Sequence, residues 1–365
     1  MKLRRTKMKE TVNGRGKFIK LFIVRTGIVI VVFSIISMII VKKLYDSNFP
    51  RFNRPEFSTE IKYNEISKNY KRSSFQFPSG KNQLQGYIYG QENTKGLVVV
   101  AHGISAGSDS YLPQIMFLVD HGWRVLTYDC TGSYDSEGER TRGFPQSILD
   151  LDAALTYIES NKELNTYPVM LFGHSWGGYA VANVLNLNHK VDGVISVAGV
   201  NTAYEIAMEE SHNIMGPFSY ILAPYISLYQ TMLYGKTASF SAVNGINRSN
   251  VPVMIVHGDH DTRVLFNGSS IIAHEDKITN KNVRYLICSK EHHNGHGDFF
   301  YSDTALKYGA EINKQYLELN KKYKGNIPYE IKKEFYDRID RLLINEVDFE
   351  FMTKINEFLN KCLEK

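Results

Sequence analysis

The sequence predicts an α/β protein with a mostly parallel central sheet, flanking helices, a helical cap and one N-terminal transmembrane helix. Short apolar runs without alternation recur along the chain, which is typical of strands covered on both faces. Helical segments with regular apolar spacing separate most of these runs, as they do in sheets whose strands run parallel. An uncharged apolar segment follows a strongly basic N-terminus. The 365 residues leave room for one large domain with attachments.

The N-terminus combines a basic tail with an apolar segment. Residues 1–25 hold nine Lys or Arg and one Glu, and because the formal net charge of the whole chain is +5, the remainder carries about −3. Basic residues confined to a tail argue against a nucleic-acid-binding domain. Residues 26–41 carry no charge, and residues 21–24 can extend them to the ~20 residues that span a hydrocarbon core, with Arg25 reaching the headgroups.

The charges around the apolar segment predict its orientation. Nine basic residues precede it and four follow soon after it, so we expect a cytoplasmic tail at 1–25, a transmembrane anchor at 26–41 and an extracytoplasmic domain. A cleaved signal peptide is the alternative, although no small-x-small cleavage motif follows the segment. The sequence therefore predicts a single-pass protein of the cell membrane.

Beyond the anchor, three segments stand apart from the alternation of strands and helices. Residues 42–66 are polar and aromatic with two prolines, which predicts a stalk before a domain at 67–365. Residues 201–250 are too long for an ordinary crossover and rich in aromatic and aliphatic side chains, which predicts a cap over the strand ends. Residues 304–346 have a charged helical pattern that predicts a helical insert on the surface. The predicted strands lie at 73–77, 84–90, 96–103, 123–128, 168–172, 191–198, 251–256 and 283–288.

Ser175 is the first candidate for catalysis. It lies between Gly173 and Gly177, after an apolar run and before a segment with helical spacing. Strand, tight turn and helix are the setting of a nucleophile elbow, where flanking glycines let the chain turn sharply. A neutral hydroxyl is a poor nucleophile and needs a base, together with a group that orients the base. We expect both partners on loops that follow later strands.

Candidates for both partners follow the last two predicted strands. Asp259 and Asp261 come after the first of these strands, and His292, His293 and His296 come after the second. Spacing alone leaves the choice within each set open. Two of the histidines also have the spacing of a metal-binding pair, but no third ligand is evident, so we predict no metal site.

Four motifs resemble a known superfamily. They are "AHGISAGSDSY" (101–111), "YDCTGSYDSEG" (128–138), "GHSWGG" (173–178) and "HGDHD" (257–261). Through them the chain from about 70 to 300 resembles the α/β-hydrolases, in particular the group of lysophospholipases, monoglyceride lipases and serine aminopeptidases. It departs from that group at Tyr134, where the group has glycine, and at Trp176, where the group more often has a smaller residue.

The resemblance implies the α/β-hydrolase fold and specific roles for five residues. Ser175 is the implied nucleophile, His296, in a Gly-His pair, the base, and Asp261, three residues after the glycine of His-Gly, the triad acid. The backbone N–H groups of Ile104 and Trp176 are the implied oxyanion hole. The implied activity is that of a serine hydrolase that forms an acyl-enzyme and requires no cofactor.

The substrate is predicted from the cap. Its aromatic residues exceed what a small cap core consumes, so we expect some of them to line an acyl pocket for a small-molecule ester or lipid. A serine peptidase or amidase is one alternative, because the same triad cleaves esters and amides. A catalytically silent surface protein that binds a ligand is another. The cap residues predicted to contact substrate are Phe218, Tyr220, Tyr225 and Tyr229.

Overall fold

An eight-stranded, mostly parallel sheet organises the chain. The computed structural model describes residues 2–364, with side chains from residue 19 onward. The strand order is β1-β2-β4-β3-β5-β6-β7-β8; β3 to β8 run parallel, while β1 and β2 form an antiparallel edge. This arrangement confirms the predicted fold class. The strands are β1 (Arg72–Ser79), β2 (Asn82–Tyr89), β3 (Leu97–Ala101), β4 (Arg124–Tyr128), β5 (Val169–His174), β6 (Gly193–Val197), β7 (Val253–Gly258) and β8 (Val283–Cys288).

Helices cover both faces of the sheet. α4, α5 and α8 pack on one face, while α3 and α12 pack on the other. All five residues of β3 are buried and alternate between these two cores, which explains why its sequence is apolar without alternation. The helices are α1 (Lys2–Asn48), α2 (Tyr63–Ile66), α3 (Leu112–Asp120), α4 (Phe144–Ser160), α5 (Trp176–Asn183), α6 (Ala203–Met215), α7 (Ser219–Tyr234), α8 (Ala242–Arg248), α9 (Asp303–Lys322), α10 (Tyr329–Asp337), α11 (Arg341–Ile344) and α12 (Phe349–Leu363).

The register of the central strands brings their carboxyl ends level. Ala101 at the end of β3 pairs with Gly173 of β5, and His174 pairs with Val197 at the end of β6. Loops that leave these ends therefore meet above the carboxyl-terminal edge of the sheet, where ligands bind in open α/β folds.

The helices between β6 and β7 divide into two groups. α6 and α7 form an antiparallel pair above the strand ends, joined by a short turn. α8 instead packs against α5 in the helical layer of the sheet. The cap predicted at 201–250 therefore consists of α6 and α7, and its last part belongs to the main body.

The N-terminal helix is longer than the predicted anchor. α1 continues through residues 42–48, and a window within Ile19–Asn48 with mean hydropathy 2.5 is long and apolar enough to cross a membrane. The basic tail predicted at 1–25 lies mostly outside the residues whose side chains are described.

Residues 42–66 differ from the predicted stalk, because those beyond α1 lie along the domain. The Arg51 guanidinium donates hydrogen bonds to the carbonyl oxygens of Tyr134, Ser136 and Gly138. On the other side of this segment, the Arg341 guanidinium pairs with Glu65 at 3.2 Å. The segment from α1 to β1 is thus held by the main body and by the surface helices α9 to α11, which occupy most of the predicted insert at 304–346.

Candidate active site

The turn between β5 and α5 has the geometry of a nucleophile elbow. Ser175 has φ +57° and ψ −113°, a backbone conformation that costs about 1–3 kcal/mol and persists only where the surroundings enforce it. A Cβ atom at Gly173 would lie 2.2 Å from the Gly177 carbonyl oxygen, and one at Gly177 would lie 2.0 Å from the Ala101 carbonyl oxygen. Only glycine fits at these two positions, and the turn lifts the Ser175 hydroxyl above the strand ends.

A continuous line of hydrogen bonds joins three loops at this edge. The Ser175 hydroxyl donates to Nε2 of His296 at 2.8 Å, and Nδ1–H of His296 donates to Oδ2 of Asp261 at 2.7 Å. His296 follows β8 and Asp261 follows β7, as the strand ends require. The structure thus brings together the three residues that the sequence predicts as nucleophile, base and acid.

The surroundings of Asp261 keep it ionised. Its Oδ1 accepts the backbone N–H groups of Arg263 at 2.8 Å and Val264 at 3.0 Å, while Nε2 of His257 lies 3.2 Å from Oδ2. Burial raises the pKa of this carboxyl group, but the hydrogen bonds from His257 and His296 outweigh burial and hold the pKa well below its usual range. A carboxylate here orients the His296 ring.

The other candidates of the sequence analysis lie outside this line. The Asp259 carboxylate contacts His260 and Asn294 instead of a catalytic group. His293 is buried with its Nε2 2.7 Å from a carboxylate of α9, and His292 is exposed. Geometry therefore selects Asp261 and His296 on grounds independent of their motifs.

The predicted oxyanion residues flank Ser175. Trp176 is the first residue of α5, so its backbone N–H lacks an acceptor within the helix and lies at the positive end of the helix dipole. A Cβ at Gly103 would lie 3.6 Å from the Ser175 Cβ, which puts the adjoining Ile104 at the same cavity as the serine. The Trp176 indole is fully buried and donates to the Phe144 carbonyl at 2.9 Å. The bulky side chain at this position thus packs in the core and is not among the residues that line the cavity.

Comparisons with known proteins agree with this architecture. A family model described as serine aminopeptidase, S33, matches residues 92–231. The Pyrococcus furiosus esterase Pf2001 superposes with a TM-score of 0.51 at 16% identity, over 75% of this chain and 98% of the esterase. The chain has the α/β-hydrolase fold, and its segment 92–231 resembles the serine aminopeptidase family. At this level of identity the esterase shows the shared fold alone.

Two curated relatives match shorter segments of the chain. The polyketide transferase af380 of Aspergillus fumigatus is 24% identical over 135 residues, which are 36% of this chain and 46% of the relative. The uncharacterized protein YfhR of Escherichia coli is 21% identical over 175 residues, 47% of this chain and 54% of the relative. The chain thus spans about half the length of the curated relatives it matches.

A second chain of hydrogen bonds lies behind the line Ser175–His296–Asp261, the catalytic line of the proposed mechanism. The sequence analysis did not predict this second chain. Nε2–H of His174 donates to the His296 carbonyl at 2.8 Å, so Nδ1 of the neutral ring accepts from the Tyr111 hydroxyl at 2.7 Å. Tyr111 in turn accepts the Gly103 N–H at 3.0 Å. Burial lowers the pKa of His174 to about 3, which keeps the ring neutral. These bonds connect the loop after β3 to the loop that carries His296. Their residues Gly103, Tyr111 and His174 lie within the motifs "HGISAGSDSY" and "GHS".

The departure at Tyr134 is accommodated without loss of the turn. Tyr134 keeps a positive φ, +39°, at the position where the group has glycine. Its ring packs on Gly107, where a Cβ would lie 2.2 Å from a ring atom, and the Arg54 guanidinium lies 4.8 Å from the ring centroid. The tyrosine is thus held between a glycine and an arginine of the segment that follows α1.

A cavity of about 720 Å³ opens above Ser175 and His296. The four cap residues that the sequence predicted to contact substrate do not line this cavity, so that prediction was wrong. Phe218 and Tyr220 are 73% and 68% exposed, and Tyr225 and Tyr229 pack against α1. The helical spacing of α7 left open which face points inward, and Ile226 occupies the inward face.

Three helices supply most of the apolar part of the cavity wall. Ile206 and Ala207 of α6 and Ile226 of α7 line the cap side. The end of α1 lines another side, although the sequence assigned this helix to the membrane alone. Two charged residues, Glu210 and Arg263, also reach the cavity.

Proposed function

We propose that this protein is a membrane-anchored serine hydrolase that cleaves carboxyl esters through an acyl-enzyme. The observation that carries the proposal is the unbroken line from Ser175 through His296 to Asp261, reached from an apolar cavity. A hydroxyl in contact with an oriented imidazole is the arrangement that acyl transfer requires.

In the acylation step, the Ser175 oxygen attacks the carbonyl carbon of the ester while His296 Nε2 takes the hydroxyl proton. Asp261 holds Nδ1–H and stabilises the imidazolium. The N–H groups of Ile104 and Trp176 receive the negative charge that develops on the carbonyl oxygen. His296 then returns the proton to the departing alcohol, and the acyl group remains on Ser175.

Deacylation repeats these steps with water. Water gives a proton to Nε2 of His296 and attacks the acyl carbon, and collapse of the second tetrahedral intermediate releases the carboxylic acid as the proton returns to Ser175. No second acid or base is needed, because Nε2 of His296 takes up and returns the proton in both acylation and deacylation.

The apolar cavity favours an ester with an acyl chain. Each methylene that enters such a cavity contributes up to ~0.8 kcal/mol until the space is filled. We therefore expect butyryl and octanoyl esters of p-nitrophenol to have several-fold higher kcat/KM than the acetyl ester.

Aminopeptidase activity is the second candidate, because Glu210 reaches the cavity and a carboxylate can bind a peptide N-terminus. Burial and the neighbouring Glu209 raise the pKa of Glu210, and Arg263 at the same cavity repels an ammonium group. These contacts favour the ester.

Two measurements decide the activity. A serine-directed fluorophosphonate should label the wild-type chain and leave Ser175→Ala unlabelled; labelling of the variant would exclude Ser175 as nucleophile, and an unlabelled wild type would favour the catalytically silent alternative. Faster cleavage of alanine p-nitroanilide than of the butyryl ester, or an equal rate for all acyl lengths, would replace the esterase with the peptidase.

The proposal places the basic tail in the cytoplasm and the hydrolase domain outside, on the strength of the basic residues before the span. Protease added to intact cells should digest a C-terminal tag and spare an N-terminal tag. The opposite pattern would reverse the orientation, and a mature chain lacking residues 1–41 would mean a cleaved signal peptide.

A further inference from the structure

The candidate active site is closed on one side by the end of the anchor helix. Val41 there is fully buried although most of the preceding span is exposed. One wall of the cavity above Ser175 is therefore built from the same helix that carries the apolar span. The residues of this wall are Val41, Leu44, Tyr45, Asn48 and Phe49.

Hydrogen bonds and ring contacts fix this wall to the cap. Gln230 of α7 donates to the Tyr45 hydroxyl at 2.5 Å and to the Ala203 carbonyl at 2.9 Å. The Tyr45 ring packs edge-on against Tyr229 with 5.1 Å between centroids. The wall, α6 and α7 thus share one buried junction.

The cap also contacts α1 within its apolar span. The hydroxyls of Tyr225 and Ser34 are 3.0 Å apart, and the Phe33 and Tyr225 rings lie 6.1 Å apart. Ser34 precedes Lys42 by eight residues, which is about 12 Å along a helix. If α1 crosses a bilayer, this part of α7 lies at the depth of lipid acyl chains on the side of the hydrolase domain.

The composition of the cap suits that depth. Residues 211–235 contain no Asp, Glu, Lys or Arg. The turn between α6 and α7 and the helix ends beside it carry four apolar side chains that are at least half exposed, Ile214, Phe218, Tyr220 and Ile221. Exposed apolar patches of this kind mark interaction sites, and continuity with the exposed span of α1 identifies lipid as the occupant.

We propose that the hydrolase takes its substrate from the bilayer: the α6–α7 turn inserts into the leaflet beside α1, and an ester lipid enters with its acyl chain along the wall Val41–Phe49. This inference rests on the proposed ester hydrolysis at Ser175. It narrows the substrate class to carboxyl esters with a membrane-embedded acyl chain and gives the anchor a place in the binding site.

Insertion is tested without catalysis by tryptophan fluorescence. Phe218→Trp and Leu317→Trp, each combined with Ser175→Ala, are reconstituted in vesicles of phosphatidylcholine brominated on its acyl chains. Leu317 is 56% exposed on α9, away from the cap, and serves as the matched control. After subtraction of the emission of Ser175→Ala alone, which retains Trp123 and Trp176, we expect a blue-shifted, strongly quenched signal from Phe218→Trp only. Equal quenching of the two variants would overturn the insertion.

Substrate entry is tested by comparing two esters in one preparation. Vesicles of ether-linked phosphatidylcholine, which hold no carboxyl ester, carry monooleoylglycerol, and p-nitrophenyl acetate is added to the water. Phe218→Asp should hydrolyse monooleoylglycerol at least tenfold more slowly than wild type with the acetate rate unchanged, while Leu317→Asp changes neither rate. Unchanged hydrolysis of monooleoylglycerol in Phe218→Asp would refute bilayer loading.

The two proposals fail in different ways. If wild-type protein takes up no fluorophosphonate and cleaves no acetate ester, the serine hydrolase itself is wrong. If labelling and acetate hydrolysis persist while Phe218→Trp is quenched no more than Leu317→Trp, only the bilayer route is wrong. Should Phe218→Asp lose fluorophosphonate labelling as well, the variant is misfolded and the quenching result decides.

Discussion

The carboxyl-terminal edge of the sheet, where the parallel strands end, and the roof above it are built by different means. At the edge, Ser175, Asp261 and His296 are held by strand ends, a strained turn and short hydrogen bonds. The roof consists of α1, α6 and α7, packed mainly through apolar and aromatic side chains. Under the proposed function, the edge would set the reaction and the roof would set the substrate. Changes at the edge should alter kcat for every ester, and changes in the roof should alter the preference for acyl length.

The largest effect should come from the nucleophile and the base. Ser175→Ala and His296→Ala should each lower kcat by about 10⁶-fold, because the two residues act as a unit. His293→Ala is the matched control and should change kcat only slightly, since His293 faces α9. Activity that survives His296→Ala and is lost in His293→Ala would reassign the base.

Asp261→Asn should lower kcat by about 10⁴-fold for acetyl and octanoyl esters alike, because the amide favours the wrong imidazole tautomer. Asp259→Asn should change kcat little, as its carboxylate does not contact the catalytic line. Steady-state kinetics of both variants give the comparison. A loss confined to octanoyl esters would contradict the assignment of Asp261 to the chemistry.

The edge should also make stability sensitive to acid. Burial lowers the pKa of His174 to about 3 and that of His102 to about 4, so the folded protein keeps both rings neutral while the unfolded chain binds protons below pH ~6.5. Stability from each neutral ring is present above pH ~6.5 and is lost as the pH falls toward these values. We expect the free energy of unfolding to drop by about 2 kcal/mol per ring between pH 7 and pH 5.

Urea unfolding of detergent-solubilised protein at the two pH values measures this drop. His174→Gln should reduce it, whereas His260→Gln should leave it unchanged because that ring is 77% exposed in the folded protein. An equal drop in wild type and in His174→Gln would show that the buried ring is not its source.

The smallest of these effects belongs to the roof. Ala207→Phe should fill part of the cavity and lower kcat/KM for the octanoyl ester by about tenfold, with the acetyl ester nearly unaffected. A parallel loss for both esters would mean that the roof also shapes the catalytic edge. The ratio of the two values of kcat/KM therefore shows whether edge and roof are separable.

The sequence predicts the residues at this edge well, because the patterns that indicate them are local in the chain. Apolar runs without alternation, a serine between two obligatory glycines and polar residues just after strands all follow from backbone geometry. The same rules left two acids and three histidines as candidates, and the resemblance to a known superfamily was needed to select Asp261 and His296. The bonds from Gly103 through Tyr111 and His174 to His296 join positions far apart in the chain, and the motifs that contain these residues do not show that they pair.

The roof was harder to predict because its contacts are long-range. Tyr225 and Tyr229 face α1 and not the acyl cavity, and nothing in the spacing of α7 distinguishes these two faces. The segment 42–66 has the composition of a linker, yet Arg51 and Glu65 hold it to the domain. The composition of α1 predicts a membrane anchor. It does not indicate that the last turns of this helix line a cavity.

If the proposed membrane-anchored hydrolase is correct, the unbroken helix α1 has a consequence for release of the domain from the membrane. Proteolytic shedding normally frees a catalytic domain from its anchor with its active site intact. Here a cut after residue 41 would detach Val41 from the roof, and a cut after residue 49 would remove Leu44, Tyr45 and Phe49 as well. A shed form would keep the catalytic line and lose a wall of its acyl site, so release from the membrane would at the same time change the choice of substrate.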